Sequence, residues 1–435
     1  MHYRSLSTAG VVLNLLAFTS SAHAQGPGTP PATAPQPATA PAPAAPAPVA
    51  ANPAPPNLAP PPPPAAPMPT ADAPAAAPPP LVSPLKLEDQ AGNSIKFGFL
   101  LQPQYSAVGS ATLSGVSQNL FIRRTRILVG GTLFGTVEYF FDTDYPNLFL
   151  ANNVPGENGA PNTSVKGTPG MNIQDAFATF KAVGDMLKVD AGYMLPPMSH
   201  NAVQGAGTLY GWDYFAYSFQ HGNVFNSSAN PVGRDAGVEL RGLVLDQHLE
   251  YRAGLFQGLR NAETATEVGS RNAFRYTGRL QVNLLDAETG FFYAGTYLGK
   301  KKVASIGGSV DFQGKYRYYD ADAIVDMPAG PGVVTAQLNV AHWNGGTFIP
   351  TLLSQTAIMG EAGYLIDAVH LSPIVRVEHL EGSGTLRNQN RYAGGLAFWP
   401  YGHNSNLKAF YTRIRTDGAP RGFDQFNLQW QVYFF

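Results

Sequence analysis

Charged side chains recur at alternate positions in short segments that are otherwise largely apolar. Arg124 and Arg126 form one such pair, and Glu239 and Arg241 form another. Residues two apart in an extended strand project from the same face. Arginines grouped on the wall of a pore select anions, whereas an arginine next to a carboxylate forms an ion pair in which the two charges cancel. The spacing predicts a charged, solvent-facing side of the strands. The sequence is compatible both with an anion-selecting row of arginines and with a set of ion pairs.

A charged residue is assigned to the inner face of a strand when the residues at the alternate positions, on the other face, are apolar. Arg126 is an example, because Ile127 and Val129 are apolar. The basic candidates are Arg124, Arg126, Lys181, Lys188, Arg241, Arg252, Arg275, Arg279 and Arg376. The acidic candidates are Glu138, Asp142, Asp175, Glu239 and Glu250. Arg123 has the opposite parity and is expected near a membrane interface, because arginine at the bilayer midplane costs about 2–4 kcal/mol.

Catalytic and metal-binding chemistry is not expected. The histidines show no recurring spacing to a serine, and the chain contains no cysteine. No HExxH, phosphate-binding glycine loop, GxSxG or EF-hand pattern occurs. The sequence therefore predicts no enzyme, no cofactor and no metal site.

The last twelve residues, 424–435, indicate which elements position the charges. Leu428 and Trp430 alternate with Asn427 and Gln429, and the chain ends on an aromatic residue. A period of two indicates a strand with one apolar and one polar face. Such a strand suits a barrel that is apolar toward lipid and polar toward a water-filled lumen. The predicted fold class is an all-β, transmembrane antiparallel β-barrel.

The number of strands is bounded by the pattern. The seventeen candidates are 96–107, 120–133, 137–145, 173–182, 187–195, 236–245, 249–258, 274–285, 291–298, 303–312, 317–327, 333–343, 356–366, 371–381, 391–399, 406–415 and 424–435. A bacterial single-chain barrel has an even number, so one assignment is wrong, either within 291–327 or through a strand hidden in 198–234. At roughly 20–22 residues per strand and connection, the length favours 16 strands, with 18 as the alternative.

The connections alternate in length through the first half of the barrel region. Short ones at 133–136 and 245–248 alternate with long ones at 146–171 and 198–234. Short periplasmic turns and long extracellular loops are typical of outer-membrane barrels. The longest loop, 198–234, is expected to fold inward and narrow the pore. Its constricting part is assigned to Tyr210, Trp212, Asp213 and Tyr214.

The amino-terminal region divides into two segments before the barrel region, 84–435. Residues 1–24 combine a weakly basic start, a short apolar run and small residues before Gln25, a pattern typical of a secretory signal peptide. Residues 25–83 contain 23 of the 38 prolines and are otherwise mostly alanine. This composition predicts an extended, disordered periplasmic segment. It is expected either to tether the barrel to the cell wall or to have no partner.

Composition excludes several classes of protein. Charged residues make up 13% of the chain, against roughly 25% in soluble globular domains. The net charge of −1 gives no reason to expect nucleic-acid binding. Aromatic residues near predicted strand ends, among them Trp343, Trp399 and Trp430, are expected to form girdles at the bilayer interfaces.

Two stretches resemble a known family. FIRRTRILVGGTLFGTVEYFFDTDY (121–145) and IQDAFATFKAVGDMLKVDAGYMLPP (173–197) resemble the amino-terminal half of the phosphate-selective porin O and P family. The resemblance implies a trimeric, 16-stranded outer-membrane channel that often prefers anions. Many relatives carry a lysine near the end of the Gly-x-x-x-Pro strand. Here Gly192–Pro196 has no basic residue, so phosphate selectivity is not carried over.

The expected function is an outer-membrane porin, a water-filled channel for small hydrophilic solutes with weak anion preference. The alternatives are a non-conducting barrel that anchors the proline-rich segment, and a channel that prefers oligosaccharides. Expected partners are outer-membrane lipid and lipopolysaccharide, two further copies in a homotrimer, and the barrel-assembly machinery, which would engage the strand ending at Phe435. Cell-wall contact is expected of 25–83.

Overall fold

The computed structural model of the protein describes residues 85–150, 170–219, 233–259 and 274–435. The segments assigned above to a signal peptide (1–24) and a proline-rich region (25–83) lie outside the described residues. No helix in the described ranges is long and apolar enough to cross a membrane.

Seventeen strands account for most of the described chain, and all pair in an antiparallel manner. They are β1 (Leu85–Glu88), β2 (Ser94–Val108), β3 (Ser117–Leu133), β4 (Val137–Asp144), β5 (Asn172–Val183), β6 (Leu187–Met194), β7 (Asp235–Val244), β8 (Leu249–Phe256), β9 (Arg275–Asn283), β10 (Val303–Gln313), β11 (Tyr316–Ala329), β12 (Gly332–Asn344), β13 (Gln355–Ile366), β14 (Leu371–Gly382), β15 (Gln389–Phe398), β16 (Ser405–Thr416) and β17 (Phe423–Phe434).

Strands β2 to β17 form a closed sheet of sixteen strands. Each pairs with its neighbours in sequence, and β17 returns to β2, where Leu428 lies opposite Tyr105. The short β1 pairs with β2 alone, with Leu85 opposite Phe97. The predicted all-β barrel and the count of sixteen are therefore confirmed.

One candidate strand was wrong. Residues 291–298 lie in the connection between β9 and β10 and form no strand. Their alternation of aromatic and small residues resembles that of a strand, but Phe291, Tyr293 and Ala294 are all buried, so the segment has no lipid-facing side. The described part of 198–234 contains no strand, and β1 was not predicted.

The two ends of the barrel differ. The turn end carries the short connections after β3, β5 and β7 together with Phe435, and the loop end carries the long connections after β4, β6 and β8. This alternation does not extend to the next strands. Residues 284–302, between β9 and β10, form a long connection at the turn end, whereas β10 and β11 are joined at the loop end by only Gly314 and Lys315.

The strands have an apolar outer face and a charged inner face, as β9 shows. Tyr276 and Leu280 are 54% and 60% exposed on the outer wall, while Arg275 and Arg279 point inward and are almost fully buried. Lipid accepts the outer side chains without hydrogen bonds, and the closed sheet satisfies the backbone.

A β-bulge in β3 corrects the position predicted for Arg123. Leu101 lies opposite Thr125 and Pro103 opposite Ile122, so Arg123 and Arg124 together face the single residue between Leu101 and Pro103. Proline has no N–H to donate to the ladder, and an irregularity at this point accommodates it. The extra residue shifts the parity, and both arginines therefore point into the barrel, where they are buried.

The barrel interior is packed with side chains as well as lined by charges. Tyr318, Trp343 and Met359 on the inner wall form a buried cluster with Met198 and Phe215, which follow β6. The predicted aromatic girdle is therefore wrong for two of the three tryptophans named for it. Trp343 and Trp399 face inward, and Trp430 is exposed on the outer wall.

We expect Trp343→Ala to lower the free energy of unfolding by about 3–5 kcal/mol, because removing a buried indole leaves a cavity in the interior cluster. Denaturant unfolding in detergent micelles would measure the loss. Trp430→Ala is the control on the exposed outer wall. A larger loss from Trp430→Ala than from Trp343→Ala would contradict the assignment of an interior core.

Candidate functional site: the barrel interior

Residues Met198–Phe219, here called the inward loop, cross the interior of the barrel. On one side, the Asp213 carboxylate accepts hydrogen bonds from Arg123 (2.9 Å) and Arg124 (2.5 Å) of β3. On the other side, Arg376 of β14 donates to the Asp213 and Tyr214 carbonyl oxygens at 2.9 and 3.2 Å. The loop is thus attached to two separate parts of the wall, β3 and β14.

Electrostatics at Asp213 favour its charged form. Burial alone raises the pKa of this carboxyl, but the guanidinium groups of Arg123 and Arg124 outweigh burial and hold the pKa well below its ordinary value. The Asp213 carboxylate is therefore charged at neutral pH in the docked loop.

The predicted constriction residues beside Asp213 also lie inside the barrel. Tyr210 stacks on Trp399, with ring centroids 6.4 Å apart. Trp212 packs on Phe410 at 4.7 Å and beneath the Arg376 guanidinium at 4.8 Å.

Lys408 of β16, which sequence reasoning missed, completes the docking of the inward loop. Its ammonium donates to the carbonyl oxygens of Leu209 (2.7 Å) and Gly211 (2.9 Å). A side chain at Gly211 would overlap the Arg376 guanidinium and the Glu361 carboxylate, so glycine permits this close approach. The inward parity of Lys408 on β16 could have identified it.

Residues Leu284–Lys302, here called the return segment, enter the interior from the turn end and meet the inward loop. The Gly205 N–H donates to the Tyr293 carbonyl (2.9 Å), and the Tyr293 N–H donates to the Val203 carbonyl (3.2 Å). A third backbone bond joins the Gly295 N–H to the Thr208 carbonyl at 3.0 Å. We call this junction of the two segments the seam.

A buried pair reinforces the seam. His200 of the inward loop lies 2.7 Å from the Glu288 carboxylate of the return segment and stacks on Tyr293 with ring centroids 4.5 Å apart. Burial raises the pKa of Glu288, but His200 and a hydrogen bond from Tyr297 outweigh it, and the net pKa lies below the ordinary value. This pairing therefore stabilises the seam above the ordinary carboxyl pKa and is lost as the pH falls through the lowered value.

Five of the nine basic residues predicted to face inward stand opposite one another on five consecutive strands, β5 to β9. We call them the basic row: Lys181 faces Lys188, Lys188 faces Arg241, Arg241 faces Arg252, and Arg252 faces Arg279. The row runs from the rim of the turn end into the interior, since side-chain exposure falls from 29% at Lys181 to 0% at Arg279.

Each member of the row has an acidic partner, because like charges directly opposite on neighbouring strands are destabilising. Lys181 pairs with Glu138. The other ion pairs are Lys188–Asp185 at 2.6 Å, Arg241–Asp190 at 2.7 Å, Arg252–Glu250 at 2.7 Å and Arg279–Asp322 at 2.6 Å.

The remaining predicted charges are also brought into ion pairs. They are Arg126–Asp142 at 3.1 Å, Arg234–Asp175 at 3.1 Å, Arg275–Asp311 at 2.6 Å, Arg376–Glu361 with an N–O distance of 2.7 Å, and Arg252–Glu239 at 3.7 Å. Asp311 and Asp322 were missed from the sequence. Asp320, Asp322 and Asp326 alternate on β11, and this period of two could have revealed the acidic partners.

A cavity of about 770 Å³ lies at the turn end, between β2–β7, the inward loop and the return segment. Seven basic residues line it among the described residues: Lys86, Lys96, Arg126, Lys181, Lys188, Arg234 and Arg241. Three acidic residues do so: Glu138, Asp142 and Asp185. The ion-paired interior therefore presents a net basic surface to this cavity.

Comparison with known proteins gives the class of fold. No protein-family model and no curated protein matches the chain. Among solved structures, an anion-selective porin from Comamonas acidovorans superposes with a TM-score of 0.50 at 11% identity, covering 79% of this chain and 100% of that one. A BenF-like porin from Pseudomonas fluorescens Pf-5 gives a TM-score of 0.46 at 10% identity, over 78% of this chain and 98% of that one. The fold is that of the outer-membrane β-barrels.

We expect Asp213→Asn to release the inward loop, because Arg123 and Arg124 would remain buried without a counter-charge. Breaking a buried pair in this way costs about 3–5 kcal/mol. Denaturant unfolding and the rate of limited proteolysis within residues 198–219 would measure the effect. Asp424→Asn, which disrupts the exposed pair with Arg413, is the control and should cost under about 1 kcal/mol. Equal effects of the two variants would contradict this role of Asp213.

Proposed function

We propose that the protein is an outer-membrane porin that conducts small hydrophilic solutes with a weak preference for anions. The observation that carries the proposal is the basic row, which leads from the rim of the turn end into the interior and presents its first three members to the 770 Å³ cavity. Rings and rows of basic side chains favour anions in a pore.

The preference is expected to be weak because every member of the basic row has a carboxylate partner. Paired charges leave a smaller field than free ones. The net basic lining of the cavity supplies the remaining bias. A tight phosphate site is not proposed, since no member of the row is left free to coordinate one.

The turn end is assigned to the periplasm and the loop end to the cell exterior, as is usual for outer-membrane barrels. A solute that enters from outside passes the inward loop, which we propose narrows the pore, and leaves through the cavity at the turn end. The proposal involves no bond-making chemistry.

We expect Lys181→Gln combined with Lys188→Gln to shift the reversal potential of the purified channel toward cations, because two positive charges leave the cavity wall. Planar-bilayer recording across a potassium chloride gradient would measure the shift. Lys315→Gln, at an exposed loop-end turn, is the matched control and should leave the reversal potential unchanged. Cation preference already present in the unmodified channel would overturn the anion proposal.

A second function is favoured by the seam. Three backbone hydrogen bonds and the His200–Glu288 pair join the inward loop to the return segment across the interior. A barrel held closed in this way would be a structural element of the envelope, anchoring residues 25–83. Stepwise conductance from the unmodified protein would exclude this second function, and silence would support it.

We expect Glu288→Gln to increase single-channel conductance, because the uncharged amide weakens the contact with His200 and loosens the seam. Asp286→Asn, in the same segment but with an exposed carboxylate that accepts the Lys302 N–H, is the control and should leave conductance unchanged. The measurement is the amplitude of current steps in the same bilayer. A conductance equal to that of the unmodified protein would show that the seam does not limit flow.

The compartment and the assembly follow from the same proposal. We propose export by a signal peptide at 1–24, a periplasmic tether formed by 25–83, a homotrimer embedded in outer-membrane lipid and lipopolysaccharide, and insertion by the barrel-assembly machinery through the strand ending at Phe435. Deletion of 25–83 that leaves surface level and envelope integrity unchanged would remove the tether. Cross-linking in native membranes would count the copies.

A further inference from the structure

The cavity at the turn end has an apolar wall that a route for water and ions does not require. Phe140, Phe177, Phe291, Phe292 and Phe435 all line it. Phe140 lies 5.8 Å from Phe177, 5.4 Å from Phe292 and 5.5 Å from Phe435, measured between ring centroids. Phe291 lies 4.4 Å from Phe177 and 4.9 Å from Phe292. We call these five rings the phenylalanine cluster.

The composition of this wall differs from that of a porin lumen. Inner walls of water-filled barrels are polar, because apolar groups facing water are unfavourable. A concave site of about 300–1,000 Å³ with aromatic walls and a few placed charges is instead typical of small-molecule binding. The volume of about 770 Å³ falls within that range.

Lys96 supplies a charge beside the phenylalanine cluster. Its ammonium lies 4.1 Å from the centroid of Phe435, and among the described residues no carboxylate pairs with it. Lys181 and Lys188, which line the same cavity, are paired with Glu138 and Asp185. Lys96 is thus available to an incoming anion.

We propose that this cavity binds a small organic anion, with its charged group at Lys96 and its apolar body against the phenylalanine cluster. An inorganic anion would leave the rings in contact with water, and a neutral apolar molecule would leave Lys96 without a counter-charge. The proposal deepens the function proposed above by naming a class of solute, and it rests on that function only for the idea that the bound anion is transported.

Benzoate is a suitable probe, because it combines a carboxylate with one ring. Isothermal titration calorimetry on the full-length protein in detergent would compare benzoate with acetate, which lacks the ring, and with benzyl alcohol, which lacks the charge. We expect benzoate to bind at least tenfold more tightly than either. Equal affinity for the three probes would overturn the proposal.

Two variants test the two parts of the site. Lys96→Gln should weaken benzoate binding about tenfold and leave benzyl alcohol binding unchanged, whereas Lys302→Gln, at an exposed position of the same end, should change neither. Phe292→Leu should weaken benzoate binding severalfold, whereas Phe134→Leu, in an exposed turn outside the cavity, should not. Heat-modifiable migration of each variant on a gel confirms a folded barrel. Unchanged benzoate affinity in folded Lys96→Gln or Phe292→Leu protein would overturn the assignment.

Bilayer recording separates this proposal from the porin proposal. Stepwise chloride conductance without benzoate binding would overturn the organic-anion site and leave the porin intact. Benzoate binding by a silent barrel would support the site and overturn transport. Brief interruptions of the current when benzoate is added would support both.

Discussion

The requirement that a charge inside a closed barrel find a counter-charge governs most of this structure. The inward-facing arginines of β3 and β7–β9 cannot reach lipid, and the packed interior leaves them little water. Arg124, Arg275 and Arg279 are almost fully buried, and each lies against a carboxylate. A lone buried ion would carry a large desolvation penalty. Each charge on the barrel wall therefore needs a counter-charge on a neighbouring strand or on a segment folded into the interior.

The same requirement explains why a loop occupies the interior. Arg123 and Arg124 project side by side because of the bulge opposite Pro103, and no carboxylate of a neighbouring strand pairs with either of them among the described residues. Asp213 of the inward loop supplies the missing charge. Once the loop is held there, Trp212 and Tyr210 pack against a group of apolar side chains on the inner faces of β12–β16. This part of the interior is packed like the core of a globular domain.

Much of the fold could be predicted because each strand has an outer face that must be apolar and an inner face that accepts charged and polar side chains. The alternation in β9, where Arg275, Tyr276 and Arg279 fall on their observed faces, is sufficient to assign side chains to lipid or interior. Sequence reasoning failed where a third environment exists. Residues 291–298 alternate like a strand but touch protein on both sides, and Trp343 faces a buried loop instead of the membrane interface. The prediction for Arg123 failed for a different reason. A one-residue bulge reverses which face the following residues occupy, and the position of a bulge cannot be read from periodicity alone.

The site was predictable residue by residue but not as an arrangement. Parity selects Lys181, Lys188, Arg241, Arg252 and Arg279 individually, yet only the register of five strands shows that they stand opposite one another. Register depends on turns and bulges that are distant from the charges. The phenylalanine cluster combines side chains from β4, β5, the return segment and the last residue of the chain, which no local pattern connects. The shape and lining of the cavity therefore depend on register and on the segments folded into the interior. A sequence with the same alternation but a different return segment would enclose a different cavity.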